Sequence, residues 1–138
     1  AVFGNTGGGK STLARRLADL TRLPLFPLDM IQFRSGGGGK VPHDEYLKAH
    51  ADLLRRDEWI IDGFGCVASA WERFSKADTL VYLVAFPSRE AAEASWKSFR
   101  ADPGWQKAFA DSHKNGPIVK PELIKSVFLD PTDYSLIR

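Results

Sequence analysis

Cysteine is almost missing from this chain, with Cys66 the one thiol among 138 residues. A single thiol cannot form an internal disulfide, so a reducing, cytoplasmic setting is the expectation. Long apolar runs are missing too. None approaches the roughly 20 residues that a membrane span needs, so no membrane partner is expected. Blocks of one charge are absent: 19 Lys and Arg are scattered among 17 Asp and Glu, leaving a net charge of +2. Without a basic stripe, nucleic acid is not an expected partner. His43, His50 and His113 show no zinc-ligand spacing with Cys66. His43 and His50 are expected on the rim of one helix. Trp59, Trp71, Trp96 and Trp105 form no base-stacking pattern and read as core or pocket wall.

What the chain does have is an ordinary globular composition. With 43% hydrophobic and 26% charged residues it can bury a core, so residues 1–138 are expected to form one domain, a monomer by default. The chain reads as trimmed at both ends, because a short strand starts at Ala1 and another stops at Arg138. Between them stands one strong motif, Gly4-Asn5-Thr6-Gly7-Gly8-Gly9-Lys10-Ser11. It fits G-x-x-x-x-G-K-[ST], the Walker A or P-loop pattern for phosphate binding. Ala1-Val2-Phe3 reads as the end of a buried strand, and Lys10 to about Thr21 as a helix. Glycines let the backbone turn its N–H groups toward a phosphate chain, and the helix N-terminus adds partial positive charge. Gly4, Asn5, Thr6, Gly7, Gly8, Gly9, Lys10, Ser11 and Thr12 are therefore the expected ATP-binding residues. Lys10 reaches the terminal phosphates, and the Ser11 hydroxyl holds Mg²⁺.

Further along, helical and strand-like patterns alternate. Leu13, Leu17 and Leu20, with Ala14, make the apolar face of the first helix. Leu25 to Leu28, ending in Asp29, reads as a strand. Residues 43–56 read as a helix, Trp59 to Gly63 as a buried strand and 66–75 as a short helix. Leu80 to Val84 reads as the clearest strand. Pro87-Ser88 opens another helix, and Asp102-Pro103-Gly104 breaks it. Residues 101–117 read as irregular, with one turn of helix around Trp105 to Phe109 and a turn at Asn115-Gly116-Pro117. A helix is expected from Pro121 through Leu123, Val127 and Phe128, and a last strand over 134–138. Ser35 to Gly39 reads either as a mobile flap or as a plain connection. Such alternation implies a parallel sheet with right-handed crossovers, whose ligands gather at the carboxyl ends of the strands.

Four acidic or basic residues join the loop as candidates. Asp62 ends an apolar strand, where a carboxylate would help Ser11 hold Mg²⁺, or cap the next segment. Asp29 ends the second strand, where it would act as a base or accept a substrate hydroxyl, or cap residues 30–33. Arg89 and Arg100 flank one helix and are either solvated or placed to stabilise a transferring phosphoryl group.

These segments carry a resemblance. Gly4 to Ser11, Leu28-Asp29, Trp59 to Gly63 and Ala77-Asp78 through Pro87-Ser88-Arg89 look like the small adenylate-kinase-related P-loop proteins, many of them labelled DNA-topology-modulation proteins. The resemblance implies a three-layer α/β P-loop NTPase fold, a five-stranded parallel sheet ordered 2-3-1-4-5 with helices on both faces. It also implies an ATP- and Mg²⁺-dependent phosphotransferase, a small-molecule or nucleotide kinase. Lys10, Asp29, Arg89 and Arg100 would be its catalytic residues and Ser11 and Asp62 its metal residues, with residues 101–117 as a lid. Asp62-Gly63-Phe64 is similar to the Asp-Gly-Phe-Pro-Arg of adenylate kinases, but Gly65 and Cys66 stand where Pro and Arg would be. The small-molecule acceptor stays open. A second reading is a nucleotide-binding regulator or switch with weak or no kinase activity.

Overall fold

In a computed structural model of the chain, residues 1–35, 38–114, 116 and 121–130 are described. They fall into two compact units, Ala1–Ala85 and Phe86–Arg138.

The first unit is built on a parallel sheet. Strand β1 (Val2–Gly4) runs into the glycine loop and helix α1 (Lys10–Thr21). Then follow β2 (Leu25–Pro27), a four-residue helix α2 (Asp29–Gln32), α3 (His43–Leu53), β3 (Ile60–Asp62), α4 (Val67–Lys76) and β4 (Val81–Leu83). All neighbours are parallel and the order is β2-β3-β1-β4. The register Gly4↔Leu83 ends β4 level with the start of the loop, while Val2↔Asp62 and Pro27↔Asp62 end β3 and β2 level with the first residue of β1.

Strand alternation decides which side chains go to which face. Ile60 joins Val2 and Ala14 in one cluster, with Leu17, Ala18, Leu23, Leu25 and Val81 packed against it. Its neighbour Ile61 points the other way, to Leu28 and Leu54, backed by Phe26, Ile31, Leu53 and Trp59. Strand β3 is buried at all three positions because it is flanked on both edges and covered on both faces. Strand β4, expected to be the clearest strand over Leu80 to Val84, spans three residues and lies at the edge of the sheet among the described residues. Its Tyr82 is 54% exposed and stacks on Phe3 at 4.9 Å, and Phe3 in turn meets Phe74 at 4.6 Å.

The order β2-β3-β1-β4 replaces the expected five-stranded P-loop NTPase sheet of order 2-3-1-4-5. The sheet among the described residues has four strands. The fifth was expected over 134–138, which lies outside the described residues, as do Gly36 and Gly37 of the glycine run and Asn115 and Pro117 of the expected turn.

The second unit holds two helices, α5 (Arg89–Ala101) and α6 (Pro103–Ser112). Each begins with a side-chain cap. Ser88 Oγ accepts from Ala91 N at 3.1 Å, and Asp102 Oδ1 accepts from Trp105 N at 2.7 Å. Residues 101–117, read as irregular, therefore contain a ten-residue helix. Asp102-Pro103 breaks α5 as expected, but an acceptor followed by proline is also how a helix starts. Aromatic contacts run along this pair from Phe86 through Trp96, Phe99, Trp105 and Phe109 to His113. The helix expected from Pro121 is a single 3-10 turn, Pro121–Leu123, and residues 124–130 have no regular structure. Among the described residues, no helix is long and apolar enough to cross a membrane.

Candidate phosphate-binding site

The loop between β1 and α1 closes on itself. Gly8 N donates to Asn5 O at 3.3 Å, and Lys10 Nζ reaches back to the same carbonyl at 3.0 Å. The Asn5 side chain spans to Ala85, accepting from its N at 3.2 Å and donating to its O at 3.4 Å. Helix α1 starts from Gly9 in the left-handed region at φ 80°, a conformation that a side chain would strain. No side chain caps this helix, and its backward pairing starts at Leu13 N, which donates to Gly9 O at 3.0 Å. The amides of Lys10, Ser11 and Thr12 are thus the orphan donors of a helix start, gathered beside one ammonium group.

Ser11 Oγ donates to Asp62 Oδ2 at 2.6 Å. This joins the start of α1 to the end of β3. Asp62 is 6% exposed, and its second oxygen, Oδ1, is buried without a hydrogen-bond partner. An unsatisfied buried carboxylate oxygen is costly, and a cation or its bound water is the usual remedy. The backbone at Asp62 is held firmly. Its carbonyl accepts from Leu28 N at 2.8 Å, and Gly63 N donates to Val2 O at 3.0 Å. No cluster of three or more His, Cys, Asp or Glu exists among the described residues. Hydroxyl, carboxylate and phosphate oxygens suit Mg²⁺, which keeps much of its water shell.

The other sequence candidates are placed as follows. Asp29 opens α2 two residues past Pro27, the β2 partner of Asp62. It is exposed, and its carbonyl accepts from Phe33 N. Arg89 and Arg100 belong to the second unit. Arg89 pairs with Asp130 at 3.5 Å and lies over the Phe128 ring, while the Arg100 carbonyl accepts from Gln106.

Sequence reading missed a buried polar group under the segment after β3. Arg73 in α4 is fully buried and donates to Gly63 O and Phe64 O, both at 3.0 Å. Its Nη1 lies 3.1 Å from His50 Nε2. His50 is also fully buried, not on the rim of α3 as expected. Burial first, and the neighbouring guanidinium second, hold the His50 imidazole below its usual range. Burial likewise pulls the Arg73 guanidinium down. Tyr46 OH meets Ser69 Oγ at 2.8 Å beside them. The signal was present in the spacing. Tyr46 and His50 are four apart, and Ser69, Ala70 and Arg73 form the buried stripe of α4.

No curated protein and no solved structure matches the chain. One family model does match, over residues 66–136. That span runs from the cap residue of α4 through β4, α5 and α6, and the glycine loop, Asp29 and Asp62 precede it. The family is not a kinase family, and no kinase family matches. This overturns the expected membership of the adenylate-kinase-related P-loop group. The ATP-dependent phosphotransferase, the alternative of a nucleotide-binding regulator or switch with weak or no kinase activity, and the description as a P-loop kinase are overturned with it. The physical reason is that the resemblance rested on a short loop and a few strand ends. A phosphate cradle at a helix start is a local backbone device, and neither family nor reaction follows from it. The model that matches is NIPSNAP, and because its span covers just over half of the residues, the chain belongs to the NIPSNAP family.

Proposed function

We propose that the Gly4–Ser11 loop binds the Mg²⁺ complex of a polyphosphate, with ATP as the nucleotide to try first. The observation that carries this reading is the Ser11–Asp62 contact at 2.6 Å with the other Asp62 oxygen buried and unpaired. The hydroxyl and the carboxylate would hold the metal, which neutralises phosphate charge. The uncapped amides of Lys10, Ser11 and Thr12 would bind phosphate oxygens, and Lys10 would exchange the Asn5 carbonyl for a phosphate. Asn5, Thr6 and the loop glycines shape the cradle. Asp29, Arg89 and Arg100 have no part in this binding reading. The lone Cys66 thiol fits a reducing cytoplasm as the compartment.

Calorimetric titration of the chain with ATP, with and without Mg²⁺, tests this. Binding that tightens with Mg²⁺ and is competed by inorganic tripolyphosphate is the expected result. Asp62→Asn should remove most of the Mg²⁺ effect, a loss of about tenfold or more, as for other residues that orient a metal's ligands. Failure to bind either ATP or tripolyphosphate overturns the reading.

A further inference from the structure

The buried Arg73 has no carboxylate within ion-pair distance among the described residues. Its charge is met instead by two carbonyls, an imidazole and the Phe74 ring at 5.3 Å. The two carbonyls, of Gly63 and Phe64, directly follow Asp62. Arg73 thus clamps the segment that sets the Asp62 backbone from the carboxyl side.

A guanidinium has only donors, so His50 Nε2 must accept from it. That is possible only for neutral imidazole carrying its proton on Nδ1. His50 Nδ1 has no hydrogen-bond partner and lies 3.6 Å from Glu72 Oε2, too long for a hydrogen bond but close enough to attract a cation. The titratable or charged groups facing His50 are Arg73, Glu72 and Lys76 from α4, and Tyr46 from its own helix, with ring centroids 6.1 Å apart. Lys76 lies 3.7 Å from the other Glu72 oxygen, and the Glu72 side chain is 43% exposed. A proton on Nε2 would set N–H against N–H at Arg73 while Glu72 draws the ring the other way.

We propose that His50 and Arg73 form a pH-sensitive pin on the Gly63–Phe64 segment, so that protonating His50 loosens the Arg73 clamp and weakens Mg²⁺–polyphosphate binding at Asp62. Arg73 and His50 are positioning residues here, and the second half of the proposal rests on the binding reading above. The sign follows from linkage. His50 binds its proton less readily folded than unfolded, so the stability it contributes is intact above the ordinary imidazole pKa of about 6.5. That stability is lost as the pH falls from there toward the folded value.

The test has two arms on the whole chain. In the ligand-free arm, NMR follows the His50 ring and the Gly63, Phe64 and Gly65 amides through an acid titration. The amides should move with the imidazole midpoint. Glu72→Gln, a change at a half-exposed side chain, should shift that common midpoint to lower pH. Amides that ignore the imidazole, or a midpoint indifferent to Glu72→Gln, overturn the pin. In the second arm, Mg²⁺–ATP affinity is measured across the same range for the native chain and for His50→Gln. The Gln carbonyl can still accept from Arg73 and does not titrate. The native chain should lose several-fold more affinity on acidification than His50→Gln. Equal losses overturn the coupling. Absence of ATP binding at every pH would overturn the binding reading instead, and the ligand-free arm would still decide the pin.

Discussion

Lys10→Ala is expected to weaken Mg²⁺–ATP binding by about thirtyfold, the range of a charge-assisted hydrogen bond to phosphate worth about 2 kcal/mol. The fold should not notice the change. Lys10 is half-buried, and among the described residues its ammonium hydrogen-bonds the Asn5 carbonyl alone, which keeps its bond from Gly8 N. A surface substitution of this kind costs within about 0.5 kcal/mol. Calorimetry and a thermal melt on the same preparation would separate the two effects. Lys10→Arg is informative beside it, because a planar fork does not fit where a point charge on a flexible stem does. Lys10→Arg should recover only part of the affinity. If Lys10→Ala binds ATP like the native chain, the loop is not the site.

The loop and its helix were legible because their signals are local. Glycines, a lysine and a serine at fixed spacing, followed by an apolar helical stripe, depend on neighbours in sequence alone. Helix α1 covers the residues read for it, and Asp62 stands at the end of β3 as its apolar run suggested. What depended on distant partners was lost. His50 read as a rim residue because an isolated histidine in an amphipathic helix gives no hint of a buried guanidinium two elements away. Arg73 drew no attention because arginine in a helix is usually solvated, yet here it is fully buried against backbone carbonyls. Helix α6 reads as a single turn in the sequence because Asp-Pro-Gly ends one helix and begins another with the same residues. Kinship was the largest error. A site motif constrains few positions. The family match lies over residues 66–136, where the sequence offered helical and strand patterns and one stretch, Ala77-Asp78 through Pro87-Ser88-Arg89, that pointed to a different family.

Gly4→Ala is expected to do what Lys10→Ala does not, and abolish binding by undoing the sheet. At Gly4, φ is +149°, and a Cβ built there would lie 1.7 Å from the Leu83 carbonyl oxygen and 2.7 Å from its carbon. The obstacle is backbone, so no rotamer change relieves it. Strands β1 and β4 would have to part at the end where they pair, Gly4 with Leu83. A forced separation together with strained backbone costs about 3 kcal/mol or more, a large share of the 5–15 kcal/mol that holds a domain together. A melt should show a large fall in Tm, and ATP binding should vanish with it, since the loop hangs from Gly4. The variant also probes how the two stretches of sequence depend on one another. Strand β4 lies inside the family-matched span, whereas β1, the loop and α1 lie before it. One cooperative transition, lowered as a whole by Gly4→Ala, would mean that the glycine-loop segment and β4 fold as one unit. A native Tm in this variant would mean that β1 does not approach β4 so closely, and the placement of the loop beside Asp62 would lose its support.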